Sequence, residues 1–261
     1  MASKPMPEGT VLPTVQHLLV RYAKRGKMRF ASHRDVARVF ERGVRRAELP
    51  IAHSAGFTPH PKISYAGGAP TGVASEAEDL SLALTSRYEA ADVRARLNAA
   101  LPDGIDVIAV TEDAGGLPAS RLTASAWRAI LPGVSSAAAA PAVEKFLALD
   151  QAPVERLTSK GMRRMDARAA VVSLTVVTPD VSSLNAVSSL DGTPSVSAVS
   201  PADEASGGVV MEMVLRHTVP AVRPDDVLTA LSGISDLAPS APAVMTRLAQ
   251  GVLGESGVVA L

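Results

Sequence analysis

The sequence predicts an α+β fold of two tandem ferredoxin-like units, each a strand–helix–strand–strand–helix–strand array (βαββαβ). Three observations predict it. Over residues 15–113, apolar runs of period two alternate with stretches of period 3.6 in that order. The order recurs over residues 121–261, in pattern rather than in letters. A soft stretch, Ala114 to Ser120, separates the two series.

In the first unit, residues 1–14 form a Pro- and Gly-containing flexible tail. Val15 to Tyr22 is an apolar strand, and Lys24-Arg25-Gly26-Lys27 a turn. Ser32 is a good N-cap with Asp35 three residues on, a capping-box spacing, so a helix is expected from there to Ala47. Ile51 to His53 is a short strand, and Ala55 to Ile63 a loop. Glu78 to Leu84 alternates as a strand, Tyr88 to Ala100 is a helix, and Gly104 to Val110 is the closing strand.

In the second unit, Leu122 to Leu131 is a strand carrying the single tryptophan, Trp127. Ala137 to Asp150 is helical, and Ala152 to Leu157 is a strand entering a basic turn, Ser159 to Arg164. Ala169 to Val177 and Val209 to His217 are strands. Arg223-Pro224-Asp225-Asp226 opens a helix, with proline and acids in its first turn. Ala243 to Leu248 ends the set, and the glycine-rich run from Gly251 to Gly257 is too loose to count as a phosphate-binding motif. Thr178 to Gly208 is Ser-, Ala- and Pro-rich without Lys or Arg, the composition of a disordered insertion.

Composition excludes several chemistries. With no cysteine there is no disulfide, no thiol nucleophile, no cysteine-held zinc and no iron–sulfur cluster of the chain's own. Neither a signal peptide nor a run of about 18 apolar residues is present, which points to a cytoplasmic protein with no membrane role. No P-loop, nucleophile elbow or dinucleotide fingerprint follows a strand, so no cofactor is expected.

The charge is polarised. Residues 1–62 hold 12 Lys+Arg against 4 Asp+Glu, although the whole chain balances 26 against 26. At about 100° per residue, Arg34, Arg38, Arg42, Arg45 and Arg46 share one face of the first helix, and Val36, Val39, Phe40, Gly43 and Val44 the opposite one. Like charges at i,i+4 destabilise a helix, so a surface shaped by stability alone would mix signs. Each i,i+4 step rises about 6 Å, close to the phosphate spacing along a single strand. Guanidinium suits bidentate phosphate contact and stacking. Arg21, Lys24, Arg25, Lys27 and Arg29 precede this helix, Lys62 follows it, and Lys160, Arg163 and Arg164 form the basic turn of the second unit. Together they read as a surface for RNA or another polyanion. Phe57 and Tyr65 are candidates for stacking on bases, and His60 and Lys62, on an extended segment fixed by Pro59 and Pro61, are placed to hold a phosphate. His33 and His60 are the candidate acid–base groups. The histidines lack metal-ligand spacing, so no metal site is expected.

Arg21-Tyr22-Ala23-Lys24-Arg25-Gly26, Arg29-Phe30-Ala31-Ser32-His33-Arg34-Asp35, Phe40-Glu41-Arg42, Gly56 to Ser64 and Gly72-Val73-Ala74-Ser75-Glu76 resemble the radical-SAM-associated (radical-SAM-linked) bacterial family, whose defining domain has no known function. The resemblance covers residues 15–112 and is traceable through 156–168 and 215–231. It implies an accessory chain, either fused behind a radical SAM protein or separate from it, encoded near ribonuclease E/G and ribosomal genes, and so a role in RNA metabolism. The family has no established catalytic residues. The first unit is also distantly similar to CRISPR repeat-processing endoribonucleases. Three functions are therefore expected, in this order: an RNA-binding or substrate-presenting module with a separately encoded radical SAM partner, a metal-free endoribonuclease, and a module docking an acidic protein.

Overall fold

The computed structural model describes residues 12–113, 122–158, 161–177, 208–235, 237–255 and 257–260. The chain is mixed α/β and divides into two compact units, Met1–Arg121 and Leu122–Leu261. Lys160, the stretch 114–120, positions 1–11 of the expected tail and 178–207 of the expected insertion lie outside the described residues.

The first unit runs β1 (Gln16–Lys24), a 3-10 turn (Gly26–Phe30), α1 (His33–Arg46), β2 (Ile63–Ala66), β3 (Ala74–Leu84), α2 (Ala90–Ala100) and β4 (Ile105–Glu112). Its strands lie in the order β4-β1-β3-β2, every pair antiparallel. Alternation decides which face is apolar. Leu18, Val20 and Tyr22 of β1 stand beside Leu82, Leu80 and Glu78 of β3, and the leucines pack with Val36, Phe40 and Val44 of α1 and with Val93 and Leu97 of α2. Phe40 is fully buried, its ring edge-on to Tyr22 at 4.6 Å.

Two glycines sit where a side chain would crowd a neighbour. A Cβ at Gly43 would stand 2.7 Å from Leu101 Cδ2, so that flexible side chain would have to move aside. Gly104 has φ 87° and accepts from the Arg25 N–H at 2.8 Å, and a Cβ there would meet the Arg25 carbonyl. The C-termini of α1 and α2 are cross-tied. Arg46 donates to the Ala100 carbonyl at 3.0 Å and Arg96 to the Ala47 carbonyl at 3.4 Å, so each cation satisfies carbonyls at the other helix's negative end.

The second unit runs β5 (Ala124–Pro132), α3 (Ser136–Leu147), a hairpin of β6 (Pro153–Thr158) and β7 (Gly161–Asp166), α4 (Ala167–Ala170), β8 (Val171–Val177), β9 (Gly208–Arg216), α5 (Pro224–Ser235), β10 (Val244–Gly254) and β11 (Gly257–Ala260). Its strand order is β10-β5-β9-β8, again antiparallel, with β11 on β10. Setting the hairpin, α4 and β11 aside, element order and strand order repeat those of the first unit. Trp127, Phe146, Leu174, Met211 and Met213 are buried, with the Arg247 guanidinium 5.6 Å from the Trp127 ring centre.

The repeat extends to side chains. Arg21 of β1 faces Asp79 of β3, and Arg128 of β5 faces Glu212 of β9, each forming a cross-strand ion pair. Ser32 caps α1 and Ser135 caps α3. In both units the first helix is followed by an excursion before the next strand. It is the segment 47–62 with the bridges Ile51–Leu84 and His53–Pro61 in one, and the β6–β7 hairpin with α4 in the other.

Three sequence expectations are corrected. The second strand is Ile63–Ala66, not Ile51–His53, because Ile63 and Tyr65 turn to the buried face while Ile51 and His53 make single bridges. The described part of the basic turn, Gly161 to Arg164, is strand β7, paired along β6. Residues 167–170, whose end was expected to open a strand, form α4, capped by Asp166.

Candidate functional site

The expected basic surface centres on α1. The Ser32 hydroxyl accepts from the Asp35 N–H at 3.2 Å, and the Asp35 carboxylate accepts in return from the Ser32 N–H at 3.2 Å and hydroxyl at 2.6 Å. These bonds, the hydroxyl's first, hold the Asp35 pKa below the ordinary carboxylate value, with smaller help from Arg38 and Arg34. The Asp35 carboxylate is thus committed to the cap.

Val36, Phe40, Gly43 and Val44 are buried. Arg34, Arg38, Arg42, Arg45 and Arg46 are all exposed, on the side opposite the core. Arg46 is held by the Ala100 carbonyl. Among the described residues, no carboxylate forms an ion pair with Arg34, Arg38, Arg42 or Arg45. The row combines four guanidinium groups outside any ion pair among the described residues and the repulsion of i,i+4 neighbours, about 0.2–0.5 kcal/mol per like pair. An anion lying along the helix would relieve both.

The cations of β1 are employed differently. Arg21 donates to both oxygens of Asp79, at 2.9 and 3.2 Å. Arg25 is paired with Glu76 and Asp106, and its pKa is raised by the hydrogen bond to Glu76 first, with both carboxylates adding to it. Lys24 is buried and its ammonium donates to the Ala69 and Pro70 carbonyls. These three bind the sheet and the 67–73 loop together, which narrows the candidate surface to the helix row and its exposed neighbours.

Lys27 is exposed beside that row in the chain. Arg29 lies with its guanidinium carbon 4.7 Å from the Phe30 ring centre, and Phe30 is 60% exposed. The buried Arg29 Nε has no acceptor among the described residues. Such an unmet donor costs about 1–3 kcal/mol, and the contact with the adjacent Phe30 ring supplies no acceptor oxygen for it. Phe57, His60 and Lys62 are exposed on the excursion after α1, with Phe57 80% exposed. The Ser54 N–H donates to the His60 carbonyl at 2.9 Å and the His60 N–H to the Ser54 hydroxyl at 3.0 Å, which closes that loop.

Tyr65, expected to stack on bases, belongs to the core. Its ring stands 5.2 Å from His33 and 6.4 Å from Phe40, and burial, with a smaller contribution from Glu41, pushes its pKa upward. His33 is exposed as the first residue of α1. No group of three His, Asp or Glu suited to a metal occurs among the described residues.

Arg163 and Arg164 are exposed on β7 of the second unit. Leu157 and Met162, directly opposite each other across the hairpin, are 75% and 59% exposed. Arg156 turns inward to Asp226 and to the Ala221 carbonyl, fastening the hairpin to α5 and the segment before it. Phe30 and the Leu157–Met162 pair were not singled out from the sequence. An aromatic directly after an arginine, and two apolar residues flanking a glycine-containing basic turn, are the signals that mark them.

A family model described as "Uncharacterized protein conserved in bacteria (DUF2344)" matches residues 17–224. No curated protein matches the chain. Among the described residues, no helix is long and apolar enough to cross a membrane.

Proposed function

The chain belongs to this uncharacterized bacterial family, and from that premise we propose that it is an accessory RNA-binding or substrate-presenting module. It works in the cytoplasm with a separately encoded radical SAM protein, in RNA metabolism, and is built of two tandem ferredoxin-like domains. The order β4-β1-β3-β2 and its repeat β10-β5-β9-β8 support the domain reading. The absence of cysteine supports the division of labour, because any iron–sulfur cluster must be the partner's. The resemblance carried by the basic segments of residues 21–46 supports the choice of partner.

One observation carries the RNA reading: Arg34, Arg38, Arg42 and Arg45 are exposed on one side of α1 without an ion pair among the described residues. Fluorescence anisotropy with a labelled RNA across a salt series tests it. Three or four phosphate contacts give a slope of log affinity against log salt of about −2 to −3. The triple variant Arg34→Glu, Arg38→Glu, Arg42→Glu should abolish binding. A salt-independent affinity, or a triple variant that binds as the parent does, would overturn the reading. Capture of a radical SAM protein by the tagged chain tests the partner separately.

A further inference from the structure

We infer that Phe30 with Arg29 forms a base-stacking platform at the entry to the arginine row, so that the RNA bound there is single-stranded. The inference rests on the RNA reading of α1 and names its substrate class.

The ring is 60% exposed, whereas Phe40 and Tyr22 of the same unit are buried and the other exposed ring, Phe57, lies on the excursion after α1. The Arg29 guanidinium stands 4.7 Å from its centre, so the ring has a cation against it and still keeps most of its surface open. The backbone beneath is fixed. The Met28 N–H donates to the Arg25 carbonyl and the Ala31 N–H to the Met28 carbonyl, both at 3.0 Å, and the Gly72 N–H donates to the Arg29 carbonyl at 2.8 Å. The platform is therefore a rigid one, which lowers the entropy lost when a base settles on it.

Phe30 precedes Arg34 by four residues, at most about 14 Å of chain, and the guanidinium row begins there. A nucleic acid whose phosphates follow the row can reach the ring with a base only if that base is unstacked. A duplex keeps its bases paired and stacked inside, whereas a single strand offers them. Every base has a π-face, so the contact tolerates sequence, as in other single-strand binders.

The test uses the full-length chain and three probes of equal length: a single-stranded RNA, an RNA duplex, and an abasic oligonucleotide with phosphates but no bases. The parent should prefer the single strand to the duplex. Phe30→Ala should lose about tenfold or more for the single strand, change binding of the abasic probe less than twofold, and leave the salt slope unaltered. Phe30→Trp should keep affinity and show emission quenched by the single strand alone. Because the ring is exposed, melting of Phe30→Ala should match the parent, which keeps unfolding out of the comparison. If Phe30→Ala binds the single strand as tightly as the parent while the arginine triple variant does not bind, this inference fails and the RNA reading stands. If the parent binds none of the three probes, both fail.

Discussion

Helices α1 and α3 occupy the same topological place in two copies of one strand order, yet their outer faces share almost nothing. Each is capped by a serine, Ser32 or Ser135, and each buries one phenylalanine completely, Phe40 or Phe146. The exposed positions of α1 hold five arginines with His33, Asp35 and Glu41, whereas those of α3 hold Ser136, Ala137, Ala138, Ala140, Pro141, Glu144 and Lys145. A first helix in this architecture thus needs a cap and a buried apolar stripe, and α3 shows that a nearly neutral exterior satisfies it. Arg34, Arg38, Arg42 and Arg45 are surplus to the fold, and a surplus that costs helix stability calls for a reason outside it.

The sharpest attempt to break this contrast is to place negative charge on both helices. Arg34→Glu, Arg38→Glu, Arg42→Glu should lower RNA affinity at least 100-fold, whereas Ala137→Glu with Ala140→Glu should change it less than twofold. Equal losses would show that binding follows net charge rather than the row.

The next largest effect lies in the cross-strand pairs. The Asp79 side chain is 0% exposed and that of Glu212 38%. Removing one partner of a buried pair strands the other charge, so Asp79→Asn should cost about 3 kcal/mol by denaturant melting. Glu212→Gln, at a wetter pair, should cost about 1 kcal/mol or less.

Smaller still is the loss of a cap. Ser32→Ala and Ser135→Ala should each cost about 1 kcal/mol. Their pH responses should differ. Asp35 has a folded pKa below its unfolded value, so its contribution is complete at neutral pH and is lost as pH falls through the lowered folded value. At the matching position α3 has Ala138, which does not titrate. The difference in melting temperature between parent and Ser32→Ala should therefore shrink on acidification, while that for Ser135→Ala stays constant.

What the sequence disclosed follows the range of the interactions. The capping box of α1 and the split between its wet and dry faces are encoded within one helix, and both were legible. The fates of Arg21 and Arg25 were not, because their acids lie 58 residues away in one case and 51 and 81 in the other. A cation read alone gives no sign that a distant strand supplies its partner. Tyr65 was misjudged for a related reason: the segment Ile63–Ala66 becomes a strand only through its pairing with β3, and that pairing turns the ring to the core. Phe30 escaped notice because a single 3-10 turn has too few residues to show a periodicity.

The buried stripe of α1 has a consequence for where the positive row points. Val36, Phe40 and Val44 seat the helix in the core, and Gly43 lies against the tip of Leu101. A side chain at Gly43 would have to push that flexible tip aside. Mutational drift on the outer positions can change what the row carries, but the bearing on which it faces is set from inside.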